Sequence, residues 1–374
     1  MRIVYVLTSL GMGGAERQVL ALAGRMAARG HTVALIVLRP RLLDGLSTSL
    51  EVVHLDMRKT PISSIRGFAH AVAFLRSFRP DLLHGHNVHG NLLARLLRIL
   101  HPAAPVVSTI HNVYEGGWPR MMAYRLTDPL CILSTAVCAS AASRYVRLKA
   151  VPQRKCVVLT NGIDTAEFAP SLDRRASTRE QMKAGNSFIW LTAGRIVPAK
   201  DYPNLLRAFA QTRAAATHAQ LWIAGHATES DAASVRALAA QLGGYEAIRW
   251  LGLRQDMAAL FDAADAFVLG SAWEGMPLAL GEAMAMEKPA VATDVGGVRE
   301  LMGTTGNLVP ANDAPALAKA MLAVMQTPAA VRQAQGRVAR QRIATNFSME
   351  AKADEWESLY GSTFRDPMVR PLTR

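Results

Sequence analysis

Short runs rich in Val, Ile and Leu alternate with amphipathic stretches along most of the chain. Arg2–Leu7 reads as a buried strand, followed by a glycine turn and a helix from about Glu16 to Arg29. Further strands are expected at Val33–Leu38, Leu82–His84, Val106–Thr109 and Val157–Leu159, with a helix over Gly90–Leu100. After a polar stretch, Pro170 to Asn186, the alternation restarts. Phe188–Ala193, Leu221–Ala224, Arg249–Leu251, Ala266–Leu269 and Ala290–Thr293 are strand candidates, with helices between them at, for example, Asn204–Ala215 and Ser234–Gln241. Apolar runs this short, separated by helices, fit strands of a parallel sheet covered on both faces. Two such series divided by a polar segment predict an α/β chain of two Rossmann-like domains, 1–168 and 169–347. A last helix near Met349–Tyr360 carries Ala351, Trp356, Leu359 and Tyr360 on a partly apolar face, and the tail 365–374 is expected to fray.

Composition narrows the classes. The chain has 374 residues, half of them hydrophobic and 19% charged, which excludes a disordered or collagen-like protein. The formal charge of +13 is uneven. Residues 1–170 hold 20 Lys and Arg against nine Asp and Glu, and the remainder hold 22 against 20, so the first half is expected to face an anionic partner. Three cysteines form no CxxC pair and no even framework, which reads as reduced and intracellular. The uncharged stretches Ile99–Tyr114 and Pro129–Ser143 are too short and too broken for the roughly 20 apolar residues of a membrane span. A cytoplasmic protein, at most peripheral on a membrane, is expected.

In open parallel sheets ligands bind beyond the carboxyl ends of strands, so the loops there matter most. The first is Gly11-Met12-Gly13-Gly14-Ala15-Glu16. Glycines let the backbone approach a ligand and a helix N-terminus favours an anion, yet the pattern alone fits a plain tight turn equally well. Arg39 and Arg41 end the second strand, where an NADP enzyme places its 2′-phosphate clamp. His84, His86 and His89 have a spacing compatible with a metal, or with a polar strand end running into a helix. His111 ends the strand Ser108-Thr109-Ile110-His111 and is either a structural or a site histidine. Arg195 and Lys200 lie in one loop, and two cations that converge can hold a diphosphate on which negative charge builds as its bond to carbon breaks. One cation at 4 Å contributes about 4 kcal/mol at an effective dielectric near 20. Glu274-Gly275-Met276-Pro277-Leu278 leads into a helix, with Pro277 suited to its first position and Glu282 farther along. Carboxylates accept hydrogen bonds from the paired hydroxyls of sugars and riboses. Asp294-Val295-Gly296-Gly297 follows the next strand.

GRxxxxK at 194–200, EGMPLALGE at 274–282 and AMAMEKPAVATDVGG at 283–297 together resemble the retaining GT-B glycosyltransferases of family four. GMGGAER, HGHNVHGN, STIHN, NGID and the terminal FSMEAKADEWESLY extend the resemblance over nearly the whole chain. It implies two Rossmann-like domains facing across a cleft, with the C-terminal segment, about 348–374, crossing back to the first. It also implies that Arg195 and Lys200 hold the donor diphosphate, Glu282 the ribose and Glu274 the transferred sugar. Backbone at Gly275, Met276, Pro277 and Leu278 would support sugar and phosphates. Leu253 and Arg254 would lie at the base, Gly13 and Gly14 at the diphosphate, His111 near the sugar and Asn161 between the domains. The family retains anomeric configuration, with a donor phosphate oxygen taking the acceptor proton. No Asp-x-Asp metal clamp accompanies these motifs, so no metal or other cofactor is expected.

The donor the resemblance favours is a UDP-sugar, with GDP-mannose as the alternative, and the acceptor a lipid-linked or growing glycan of a bacterial surface polysaccharide. Trp118, Arg120, Met121, Met122, Tyr124 and Arg125 form a basic-aromatic helix suited to an anionic membrane surface, or an ordinary half-buried helix. No nucleic-acid recognition motif is present. An NADP oxidoreductase shares the sheets and the GMGG turn but leaves GRxxxxK and EGMPLALGE unexplained. A non-catalytic sugar-nucleotide binder remains open.

Overall fold

The computed structural model describes residues 1–40, 46, 48–58 and 60–365. They form two compact units, Met1–Gly162 with the segment from Met349 onward, and Ile163–Ser348. The first unit carries strands β1 (Arg2–Leu7), β2 (Thr32–Val37), β3 (Glu51–His54), β4 (Leu82–His86), β5 (Val106–Ile110), β6 (Leu133–Ala136) and β7 (Cys156–Val158). They pair in parallel in the order β3-β2-β1-β4-β5-β6-β7. Its helices are α1 (Gly14–Ala28), α2 (Pro61–Phe78), α3 (Asn87–Leu100), α4 (Trp118–Thr127) and α5 (Ala139–Arg147).

The second unit carries β8 (Phe188–Ala193), β9 (Ala219–Ala224), β10 (Ile248–Gly252), β11 (Ala266–Leu269), β12 (Ala290–Thr293) and β13 (Asn307–Val309), in the order β10-β9-β8-β11-β12-β13, again all parallel. Its helices are α6 (Leu172–Gln181), α7 (Tyr202–Ala215), α8 (Glu229–Leu242), α9 (Met257–Ala263), α10 (Leu278–Ala285), α11 (Val298–Met302), α12 (Ala314–Gln326) and α13 (Ala329–Asn346). The last helix, α14 (Met349–Arg365), belongs to the first unit.

Each sheet is buried on both faces, as near-continuous apolar strands require. In β1, Ile3, Tyr5 and Leu7 face α1 and α14, while Val4 and Val6 face α2 and α3. The amphipathic α14 covers one face with Ala353, Trp356, Leu359 and Tyr360. Its outer face is tied to α1 by Arg25 and to the C-cap of that helix by Arg29, which pair with Glu350, Asp354 and Glu357. Trp356 is 3% exposed, so Trp356→Ala is expected to destabilise the first unit by about 3–5 kcal/mol. Urea denaturation should show that unit's transition moving to lower denaturant.

The chain departs from the sequence expectations in specific places. The segment 163–168 joins the second unit, because Ile163 N–H donates to Phe347 O at 2.7 Å and its side chain packs against Gly281. The polar stretch 170–186 contains α6, which buries only Thr178. It is held instead by charge: Arg174 pairs with Asp262, and Arg175 and Arg179 pair with Asp265. The short strands β3, β6 and β13 carry too few apolar residues to stand out. Pro277 is the N-cap of α10 rather than its first residue. Among the described residues no helix is long and apolar enough to cross a membrane. Cys131, Cys138 and Cys156 are free thiols. Arg41 and the expected frayed tail beyond residue 365 lie outside the described residues.

Candidate active site

In each sheet the strand order reverses beside the unit's first strand, between β1 and β4 and between β8 and β11. Loops leaving those strands diverge to opposite faces and open a crevice at the carboxyl ends, where ligands of such sheets bind. The loops that carry the candidate residues are the ones that leave these strands and their neighbours.

In the second unit the β8–α7 loop carries Arg195 and Lys200, and the β11–α10 loop carries Glu274 to Pro277. The two loops are joined by the backbone, Ala272 N–H donating to Ala199 O at 2.9 Å. Lys200 Nζ donates to Glu274 Oε1 at 2.6 Å, and Ser271 Oγ donates to the same oxygen at 2.6 Å. Among the described residues Glu274 Oε2 makes no hydrogen bond. The Glu274 side chain is 8% exposed and that of Lys200 21%, so the pair is largely dry with one edge open. The resemblance implies different parts of a ligand for these two residues, and the fold brings them into contact. Ser271 lies outside the EGMPLALGE motif, three residues before Glu274, and no local pattern in the sequence marks it.

Arg195 is exposed and, among the described residues, makes no side-chain hydrogen bond or ion pair. Gly275, Met276 and Pro277 are buried, Leu278 is half-buried, and Glu282 is buried one turn into α10. The loop after β12 backs this turn. Gly297 N–H donates to Gly275 O at 2.7 Å, and Gly296, at φ +57°, lies so close that a Cβ would sit 2.1 Å from Glu274 O. Tyr202 OH anchors the β8 loop by donating to Gly194 O at 2.8 Å, and burial raises its pKa.

Beside this pair, at the carboxyl ends of β8, β9 and β10, lies a cavity of about 200 Å³. Its walls include Ile196, Ile223, Gly225, Trp250 and Leu253, with the Arg236 guanidinium 5.7 Å from the Trp250 ring. Flat apolar walls beside a cationic loop suit an aromatic ring attached to phosphates. Arg254 lies next to Leu253, but its guanidinium is taken by Asp256 through two bonds of 2.7 and 2.5 Å. That pairing raises the Arg254 pKa and lowers that of Asp256. It occupies Nε–H and one N–H of Nη2 and holds the guanidinium against Asp256, next to the main chain of Leu253.

In the first unit Gly13 is the N-cap of α1 and Gly14 its first residue. Glu16, at the third helical position, reaches back over the turn, where a Cβ on Gly13 would lie 2.3 Å from its Oε2. An acidic group thus already occupies this helix terminus, as in a capping box. His111, just beyond β5, is half-buried. Its ring bonds His86 through Nε2 and Nδ1 at 2.9 Å, and its backbone N–H donates to Glu115 Oε1 at 2.9 Å. Asn161 is buried near the end of this unit.

Burial keeps these histidines neutral. His84 and His86 fall well below the ordinary imidazole range and His111 falls to about 4. His89 is exposed and lowered by partial burial and the nearby Arg120 and Arg39. Burial also lifts the Glu115 carboxyl to about 7, against the hydrogen bonds from His111 N–H, Tyr145 and Tyr124 that favour its charge. His84 spends both ring nitrogens on Tyr360 OH and Thr109 Oγ1, each at 2.7 Å. His84, His86 and His89 therefore do not converge, and among the described residues no group of His, Cys, Asp or Glu is arranged to hold a metal ion.

Residues 12–167 match the family described as glycosyltransferase family 4, and residues 187–327 match glycosyl transferases group 1. The UDP-Gal:alpha-D-GlcNAc-diphosphoundecaprenol alpha-1,3-galactosyltransferase of Escherichia coli is 23% identical, over 80% of each chain. The GDP-mannose-dependent alpha-(1-6)-phosphatidylinositol monomannoside mannosyltransferase of Mycolicibacterium smegmatis is 29% identical, over 60% of this chain and 62% of its own. Anabaena Alr3699/HepE, solved with UDP and glucose, shares the fold at a TM-score of 0.83 and 20% identity, covering 97% of this chain and 100% of its own.

Proposed function

The chain belongs to the GT-B glycosyltransferases, and from that premise we propose that it moves a hexose or N-acetylhexosamine from a nucleotide-sugar to a lipid-linked or growing glycan acceptor of a bacterial surface polysaccharide. The observation that carries this reading is the Lys200–Glu274 pair at the β8/β11 switch point. A cation and a carboxylate held together, one edge open, match the two chemistries of a nucleotide-sugar where phosphate meets pyranose. Lys200 and Arg195 stabilise the departing diphosphate, replacing a metal clamp. Glu274 Oε2 accepts from hydroxyls of the transferred sugar. Glu282 takes the ribose hydroxyls, and the Gly275–Leu278 backbone supports sugar and phosphates at the start of α10. The base lies against Ile196, Trp250 and Leu253. His111 offers a neutral hydrogen bond to a sugar hydroxyl. The acceptor attacks from the leaving group's side, a phosphate oxygen takes its proton, and configuration is retained. No protein nucleophile is required.

A UDP-sugar is the preferred donor, supported by the names of the galactosyltransferase and of the UDP complex. The mannosyltransferase keeps GDP-mannose as the alternative. Thermal denaturation with UDP, GDP or NADP, each with and without EDTA, tests the reading. A ligand at 100 times its Kd adds about 2.7 kcal/mol, and the shift with UDP is expected to survive the chelator. A shift with GDP alone changes the donor. A response only to NADP, or one abolished by EDTA and restored by a divalent ion, overturns the proposed site.

Membrane docking has a surface that suits it. On α4, Trp118 and Leu126 are 72% and 73% exposed, and Arg120 and Arg125 are exposed beside them, whereas Met121 and Tyr124 face the core. At helical spacing Trp118, Met122, Arg125 and Leu126 share one face. The neighbouring α3 adds exposed Leu96, Ile99 and Leu100. Apolar side chains with basic neighbours, on the basic half of the chain, fit an anionic lipid surface. In vesicle flotation the protein is expected to float with anionic but not neutral vesicles, and Trp118→Ser with Arg125→Glu should abolish this. Equal recovery with both vesicle types overturns the docking.

A further inference from the structure

We propose that His86 sets the tautomer of His111, donating its own Nδ1–H to His111 Nε2 so that His111 carries its proton on Nδ1. The 2.9 Å contact between these nitrogens requires one N–H and one lone pair. Two neutral arrangements meet that requirement. In one, His111 Nε2–H donates to His86 Nδ1, and the proton of His86 then sits on its Nε2. That atom is enclosed and has no hydrogen-bond partner among the described residues. A buried N–H without an acceptor is among the rarest and most costly polar defects of a folded chain. In the other arrangement His86 Nδ1–H donates, its Nε2 is a bare lone pair, and the defect is the milder one. His111 then has a proton on Nδ1, which makes no hydrogen bond among the described residues and is left to offer to a ligand.

The surroundings hold the His86 ring in place and fix the backbone of His111. His86 is the last residue of β4, and Asn87, at φ +57°, turns the chain at once into α3. The His86 ring lies 4.0 Å from that of His84 and stacks on Tyr5 at 5.7 Å. His84 is in turn clamped by Tyr360 of α14 and by Thr109, which bonds Thr135 at 2.8 Å. On the far side the Glu115 carboxylate holds the His111 backbone N–H, and Tyr124 and Tyr145 hold that carboxylate. The burial that depresses both histidine pKa values removes the doubly protonated ring as a third possibility at neutral pH. His86 is thus a positioning residue, acting on His111 through the ring contact. The consequence for turnover rests on the reading that His111 serves a sugar hydroxyl; the tautomer itself does not.

Long-range ¹H–¹⁵N NMR of the full chain labelled at histidine decides the tautomer without any ligand, with His111→Gln assigning the signals. The expected wild-type spectrum has His111 Nδ1 protonated and Nε2 unprotonated. His86→Asn, whose amide can still donate from the position of Nδ1, is expected to keep that state and turnover within a few-fold. His86→Leu should mix the tautomers and lower kcat at least tenfold with little change in KM for the donor. A wild-type His111 protonated on Nε2, or a folded His86→Leu protein with an unchanged His111 tautomer, overturns the proposal. If His86→Leu does not fold, the wild-type spectrum alone decides. Mixed tautomers with wild-type kcat in His86→Leu would uphold the tautomer assignment and overturn the sugar-side role of His111.

Discussion

Lys200→Ala is expected to lower kcat by about a hundredfold or more. The loss has two sources, and they can be separated. Removing a preorganised charge from a site where negative charge develops costs about 2.7–4 kcal/mol, or 10² to 10³ in rate. Lys200 also neutralises Glu274, which without it keeps only the Ser271 hydroxyl. Breaking a buried ion pair costs up to about 3–5 kcal/mol, and less here because the Lys200 side chain is 21% exposed. Lys200→Ala should therefore lower Tm as well as kcat. Adding Glu274→Gln should recover much of the stability but none of the rate. Arg195→Ala, at an exposed residue without an ion pair among the described residues, should lower kcat with Tm unchanged. Steady-state kinetics and thermal denaturation on the four proteins read both effects, and wild-type rates in both single alanine variants would remove the diphosphate clamp from the mechanism.

Gly296→Ala is expected to be nearly as damaging, although its side chain would touch no substrate. At φ +57° any L-residue pays about 1–2 kcal/mol of local strain. The new Cβ would lie 2.1 Å from Glu274 O and 3.0 Å from Gly275 O, and these are backbone atoms that cannot rotate aside. The Glu274–Gly275 turn must shift, and overpacking of this kind adds about 1–3 kcal/mol. The shift carries the Glu274 carboxylate away from Lys200 and Ser271. A Tm fall consistent with about 2–5 kcal/mol and a kcat loss of at least tenfold are expected. Gly24→Ala, inside α1 with no neighbouring atom within 4 Å, is the control and should be neutral or stabilising. Equal behaviour of the two variants would contradict the close backing of the Glu274 turn.

Much of the fold is legible because a parallel sheet buried on both faces must write itself as apolar runs. β1, β8, β11 and β12 stand at the residues where the pattern places them. The strand ends, and with them the loops of Arg195, Lys200, Glu274 and His111, follow from the same local signal. Elements whose stability comes from distant partners left no such signal. Helix α6 has a polar sequence and exists through the pairing of Arg174, Arg175 and Arg179 with Asp262 and Asp265, some 90 residues away. The segment 163–168 belongs to the second unit through contacts with residues far along the chain: Ile163 with Phe347 and Gly281, Thr165 and Phe168 with Arg340, and Phe168 with Phe261.

The site divides the same way. Residue type and position at strand ends are local properties, so the chain marks its cations, carboxylates and glycines before it folds. Which of them meet depends on strand order, a long-range property. Parallel strands β8 and β11 lie side by side although about 75 residues separate them, and their adjacency is what joins Lys200 to Glu274. The pairing of β4 with β5 likewise turns His86, a metal candidate by spacing, into the partner of His111. A hydrogen bond of 2.9 Å is set by packing across the sheet, and no run of neighbouring residues records it.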